Sequence, residues 1–176
     1  MAILNKTILA GCLALLVAAL PAQAQAPSLE YQVKASYLYN FARFVTWPDE
    51  VFAGDGKFNL CVVGAERFGP ALDALAGEHV EGRAIALQRL ERAAQARAAR
   101  CHMLFIANVA EAEAASAGAG PGVLTVGETP GFLARGGIIN LIEIGGRIRF
   151  EINQPAAQQA RLVVSSRLLS LAAKQP

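Results

Sequence analysis

Few side chains in this chain are of a type that does chemistry. His79 and His102 are the two histidines among 176 residues. Neither belongs to a His-x-x-x-His pair, and the chain holds no Cys-x-x-Cys and no acidic cluster at metal-ligand spacing. There is no Gly-x-Ser-x-Gly elbow to present a nucleophile. The glycine-rich stretch Gly118–Gly122 lacks the Lys-Ser/Thr of a phosphate-binding loop and reads as a turn. Ala65 and Glu66 stand where a dinucleotide fingerprint would need glycines. The residues therefore point to no enzyme, no cofactor and no resident metal. His102 reads as a packing residue at the start of a buried strand, with ligation as the alternative. His79 reads as solvated in a polar turn.

The cysteines carry more. Of Cys12, Cys61 and Cys101, the first lies in an N-terminal segment with the layout of a secretory signal. Lys6 supplies the positive end, Thr7 to Leu20 is an uncharged apolar run, and Pro21 precedes the small-x-small site Ala22-Gln23-Ala24. The run is short of the roughly 20 residues that span a bilayer as a helix. Cleavage is expected after Ala24, giving a 1–24 signal peptide and one domain over 25–176. Cleavage after Ala26 would leave Pro27 first. Leu9-Ala10-Gly11-Cys12 offers a rival reading as a lipidation box, but most of the apolar run lies after Cys12.

An exported chain keeping Cys61 and Cys101 has an even number of thiols in an oxidising compartment, so a disulfide is the default and two buried free thiols the alternative. The whole chain has 16 Lys and Arg against 14 Asp and Glu, for a net charge of +2. Losing Lys6 lowers this to about +1, which leaves no broad electrostatic footprint for nucleic acid.

The elements that must position these residues follow from the apolar pattern. Leu29 to Thr46 reads as a helix. Val33, Tyr37, Phe41 and Phe44 share one face, and Tyr31, Ala35, Leu38, Ala42 and Val45 fill the next. Trp47-Pro48 stops it. So wide an apolar face predicts burial on two sides, against the sheet and against a second helix or a partner. Apolar runs at 58–64, 84–90, 103–107 and 123–126 predict strands. Helical segments are expected at 68–76, 91–100, 111–117 and 132–135. Ile138–Ile144 and Arg147–Asn153 flank Gly145-Gly146 and predict a tight hairpin. One last helix is expected from Pro155 to about Ala173. The alternation predicts a single three-layer α/β domain, its sheet mainly parallel with helices on both faces and a C-terminal antiparallel hairpin. Cys61 and Cys101 would lie on neighbouring strands.

Two constellations stand out. The aromatic helix presents Tyr37, Tyr39, Phe41 and Phe44 and ends at Trp47. These rings serve the core, a partner or dimer interface, or both. Arg147, Arg149 and Glu151 alternate with Ile148, Phe150 and Ile152. They form either a solvated strand face with cross-strand pairs or a surface that recognises an anion or an acidic partner, with Arg161 and Arg167 as candidates to join it.

Several ordered blocks resemble the YfiR family of periplasmic proteins. They are residues 33–48 (VKASYLYNFARFVTWP), Leu60-Cys61-Val62-Val63-Gly64 with Phe68-Gly69 and Leu72, and Cys101-His102-Met103-Leu104-Phe105-Ile106. Further along come residues 123–127, Gly136-Gly137-Ile138-Ile139-Asn140-Leu141, Arg149–Asn153 and Ser165–Ala172. The resemblance implies an α/β fold, a homodimer and regulation without catalysis. Its best-understood kind binds the periplasmic sensor domain of an inner-membrane diguanylate cyclase and holds it inactive. Release raises cyclic di-GMP and favours biofilm growth, and an outer-membrane OmpA-type lipoprotein can sequester the repressor. Cys61 and Cys101 match the family's disulfide cysteines. The second cysteine pair of the best-known kind has no counterpart here, because no cysteine follows Cys101. A periplasmic module presenting a small molecule to a histidine kinase or another membrane receptor is the competing expectation.

Overall fold

A computed structural model describes residues 28–173 apart from 55, 65–66, 109 and 112–119. The expected signal peptide and Cys12 lie outside the described residues, as does most of the helix expected at 111–117.

Helix α1 spans Leu29–Phe44. The Ser28 side chain accepts a hydrogen bond from the Tyr31 amide, which caps the first turn. Glu30 in that turn and Arg43 in the last one complement the helix dipole. The helix gives way to the β-branched pair Val45-Thr46, which forms β1.

Seven strands make the main sheet: β2 (Phe58–Val63), β3 (His79–Val80), β4 (Arg83–Leu90), β5 (Met103–Ile106), β6 (Leu124–Gly127), β7 (Ile139–Ile144) and β8 (Arg147–Ile152), in the order β3-β4-β2-β5-β6-β7-β8. The pairings β4-β2, β2-β5, β5-β6 and β6-β7 are parallel, and the two edge strands are antiparallel to their neighbours. Every residue of β2, β5 and β6 is buried, as expected of parallel strands covered on both faces. Both hairpin turns use two residues with positive φ, Glu81-Gly82 and Gly145-Gly146, the geometry that matches strand twist.

Strand alternation divides the core in two. Phe58, Leu60, Val62, Met103, Phe105, Leu124 and Val126 meet α1 and the short helix α2 (Pro70–Asp73) on one face. Cys61, Val63, Leu104 and Ile106 point to the other, under Ala93, Ala96 and Phe132. Among the described residues, that second face is covered by single 3-10 turns at Ala93–Gln95 and Leu133–Arg135 and by the loops around them. The fold is mixed α/β with the expected hairpin.

Two expected helices take other forms. Residues 91–100 form one 3-10 turn followed by turns, not a helix. Only the small side chains of Ala93 and Ala96 are buried there, too little apolar face to hold a helix by packing. The C-terminal segment divides into α3 (Gln154–Gln159), β9 (Val163–Val164) and α4 (Ser166–Leu171). Val163 and Val164 pair antiparallel with Thr46 and Val45. Arg161 takes a positive φ, and the Ser165 side chain accepts from the Leu168 amide to start α4 afresh. Pairing with β1 thus overrides a helix across this β-branched run.

Candidate functional site

Cys61 and Cys101 form a disulfide with a Cα–Cα distance of 5.7 Å. Their strands are the ones expected. Cys61 lies within β2, and Cys101 directly precedes the His102 that leads into β5, the parallel neighbour of β2. Both sulfurs face the second core, and neither residue is exposed by more than 4%.

His102 is a packing residue. Its ring stacks on Phe52 and Phe58 at centroid distances of 4.6 and 5.5 Å. Nδ1 accepts from the Asn59 amide at 2.8 Å, and Nε2 lies 3.0 Å from the Val51 carbonyl. An amide donor on one side and a carbonyl acceptor on the other require the neutral tautomer with the proton on Nε2. The backbone of His102 also accepts from Trp47 Nε1 at 3.0 Å. His79 is exposed, in the two-residue strand β3 rather than in a turn.

The expected interface residues fall into three groups. Phe41 and Trp47 are core residues, 0% and 4% exposed. Tyr37, Tyr39 and Phe44 are half-buried. Tyr37 stacks on Phe41, meets Phe150 edge-on and donates its hydroxyl to the Ile148 carbonyl at 3.1 Å. Tyr39 donates to the His79 carbonyl, and Arg167 lies over the Phe44 ring. Much of the second apolar face of α1 is thus covered by the chain's own β8 hairpin and α4. The third group is on β8, where Arg147 and Arg149 are exposed and Glu151 half-buried. None of the three forms an ion pair among the described residues. Arg161 pairs with Glu50 at 3.1 Å instead.

The β8 edge is closed by the chain itself. Tyr37 takes the Ile148 carbonyl, and the Ala173 amide donates to the Phe150 carbonyl at 2.8 Å. Occupied carbonyls remove the template on which another strand would pair.

Sequence reasoning missed a charged cluster where α1 meets the carboxyl end of β6. Lys34 is 6% exposed. Its ammonium donates to Glu128 Oε2 at 2.6 Å and also to the Glu30 carboxylate one turn earlier. The Tyr31 hydroxyl donates to the other Glu128 oxygen at 3.0 Å. Lys34 and Arg67 both lie against the Tyr31 ring. Burial works to lower the Lys34 pKa, but the hydrogen bonds to Glu128 and Glu30 and the charge of Glu128 outweigh it and hold the pKa above the ordinary lysine value. Burial raises the Tyr31 phenol, and the Glu128 charge raises it further. The Lys34 ammonium is held between the Glu30 and Glu128 carboxylates, so the network fastens α1 to the sheet rather than offering a reactive amine. The signal available in sequence was the i,i+4 pair Glu30 and Lys34; nothing local announced Glu128.

Among the described residues, no group of three or more His, Cys, Asp and Glu is arranged to hold a metal ion. No helix among them is long and apolar enough to cross a membrane. What is present is a disulfide-closed α/β domain with a self-protected sheet edge and an exposed arginine-bearing hairpin face.

The chain belongs to the YfiR/HmsC-like family, whose model matches residues 31–173. That family comprises periplasmic regulators of diguanylate cyclase signalling. No curated protein matches the chain. Among solved structures, it is similar to a conserved domain protein from Vibrio cholerae O1 biovar El Tor strain N16961, at 14% identity and a TM-score of 0.53. The match covers 81% of this chain and 59% of that one, and it speaks to the fold alone.

Proposed function

We propose that this chain is a periplasmic repressor that binds the sensor domain of an inner-membrane diguanylate cyclase and lowers cyclic di-GMP signalling. The observation that carries the reading is the family match across nearly the whole domain, residues 31–173. The chain acts by binding, without catalysis. It is exported, cleaved after Ala24, and works as a homodimer. An OmpA-type outer-membrane lipoprotein relieves repression by sequestering it, and biofilm growth follows.

The mechanism is a population shift. A repressor that prefers the inactive conformation of its receptor lowers activity by its differential affinity for the two states. Two partner or dimer surfaces result: Tyr37, Tyr39 and Phe44 on α1, supported from beneath by Phe41 and Trp47, and Arg147, Arg149 and Glu151 on the β8 face turned away from α1. The exposed guanidinium groups suit an acidic counterpart.

Deleting the gene tests the reading. Cellular cyclic di-GMP should rise and return with the wild-type copy. No change, in cells expressing a cyclase with a periplasmic domain, would overturn it and favour a module that presents a small molecule to a receptor such as a histidine kinase.

A further inference from the structure

We infer that the cleft on the second face of the hairpin binds a primary alkylammonium ion.

Asn140 and Glu151 are directly paired residues of β7 and β8. Paired side chains point to one face of a sheet, with Cβ atoms about 5 Å apart. Both line a cleft of about 580 Å³ between the hairpin and the 131–134 turn, whose other walls include Phe132, Leu133, Ile152 and Pro155. Asn140 is 5% exposed, and its side-chain oxygen has no hydrogen-bond partner among the described residues. A buried carbonyl oxygen without a donor carries an uncompensated desolvation cost. Glu151 brings a carboxylate to the same wall and forms no ion pair among the described residues.

These two acceptors need a ligand rich in N–H donors and positively charged. One amide oxygen and the two oxygens of one carboxylate are too few for a calcium site, which takes six to eight oxygen ligands. An anion would face Glu151 with the wrong sign. The apolar walls suit methylene groups. A primary ammonium head on an aliphatic chain meets all three conditions: three donors for Asn140 Oδ1 and Glu151, one positive charge, and a tail for Leu133 and Pro155. A second cleft of about 510 Å³ shares Asn140 and Glu151 and runs on past Glu143 to the Glu30–Lys34–Glu128 network.

The test uses the purified mature protein and n-butylamine at low ionic strength. The melting temperature should rise with amine concentration and saturate. 1-Butanol has a similar tail without the charge, and tetramethylammonium has the charge without N–H donors; neither should produce the shift. Asn140→Leu removes the orphan acceptor at similar size, so the unliganded variant should melt no lower than wild type, yet bind butylamine at least about tenfold more weakly. Glu151→Gln should weaken binding likewise. Absence of a saturable shift in wild type, equal shifts with all three probes, or unchanged binding in both variants would overturn the assignment. Every one of these readings is made without the cyclase, so failure here leaves the repressor proposal standing.

Discussion

Lys34 and Glu128, 94 residues apart in sequence, meet at 2.6 Å with little solvent on either side chain. The contact ties the first turns of α1 to the end of β6. Removing one partner of such a pair leaves a buried charge behind, at a cost of about 3–5 kcal/mol. Lys34→Met should therefore lower the urea midpoint strongly. Glu30 is 44% exposed, so Glu30→Gln should lose less than about 1 kcal/mol. Equal losses in the two variants would show that Glu128 does not dominate.

The same network sets an alkaline limit. Lys34 and Tyr31 both have raised pKa values, so the folded state holds these protons more tightly than the unfolded chain. Their contribution is complete below the unfolded values, about 10 for each, and is lost as pH rises through the folded values. Stability measured from pH 8 to 11 should fall at the top of that range. Lys34→Met should flatten the fall; an unchanged slope would assign it elsewhere.

The disulfide closes a loop of 40 residues, worth about 4 kcal/mol in the chain-entropy model. A Cys61→Ala/Cys101→Ala variant should lose about that much in equilibrium unfolding. Because both cysteines are buried, dithiothreitol should reduce the native protein slowly and speed up in sub-denaturing urea. Fast reduction without urea would contradict the burial.

Phe132 is seated on two glycines. A Cβ at Gly137 would come within 2.2 Å of its ring and one at Gly127 within 2.7 Å. Gly137→Ala should destabilise by overpacking, about 1–3 kcal/mol. Shrinking the ring with Phe132→Leu should recover part of the loss in the double variant, and strict additivity would argue against the clash.

His102→Phe preserves the stacking on Phe52 and Phe58 but leaves the Asn59 amide without its acceptor. The expected loss is about 1–3 kcal/mol by thermal or urea unfolding. A variant as stable as wild type would mean that the ring contributes packing alone.

What the sequence determined by itself was the part of the fold set by short-range pattern. The apolar runs of β2, β5 and β6 are strands because their composition demands burial on both faces. Gly145-Gly146 marked its hairpin because only such residues take two positive φ values readily. Trp47-Pro48 marked a helix stop, but α1 ends two residues sooner than the pattern predicts, where Val45-Thr46 pairs with β9. The even cysteine pair pointed to the bond, and the ordered blocks to the family. Tertiary structure decided what distant partners decide. Pairing with β1 turned 163–164 from helix to strand. Lys34 is buried because Glu128, far along the chain, arrives beside it. The β8 edge is closed because Tyr37 and Ala173 reach its carbonyls. The Asn140 acceptor became visible only through an absence of neighbours. Side-chain pattern reports which surfaces must leave water; which charge or carbonyl each meets there depends on chain topology, and no local window contains it.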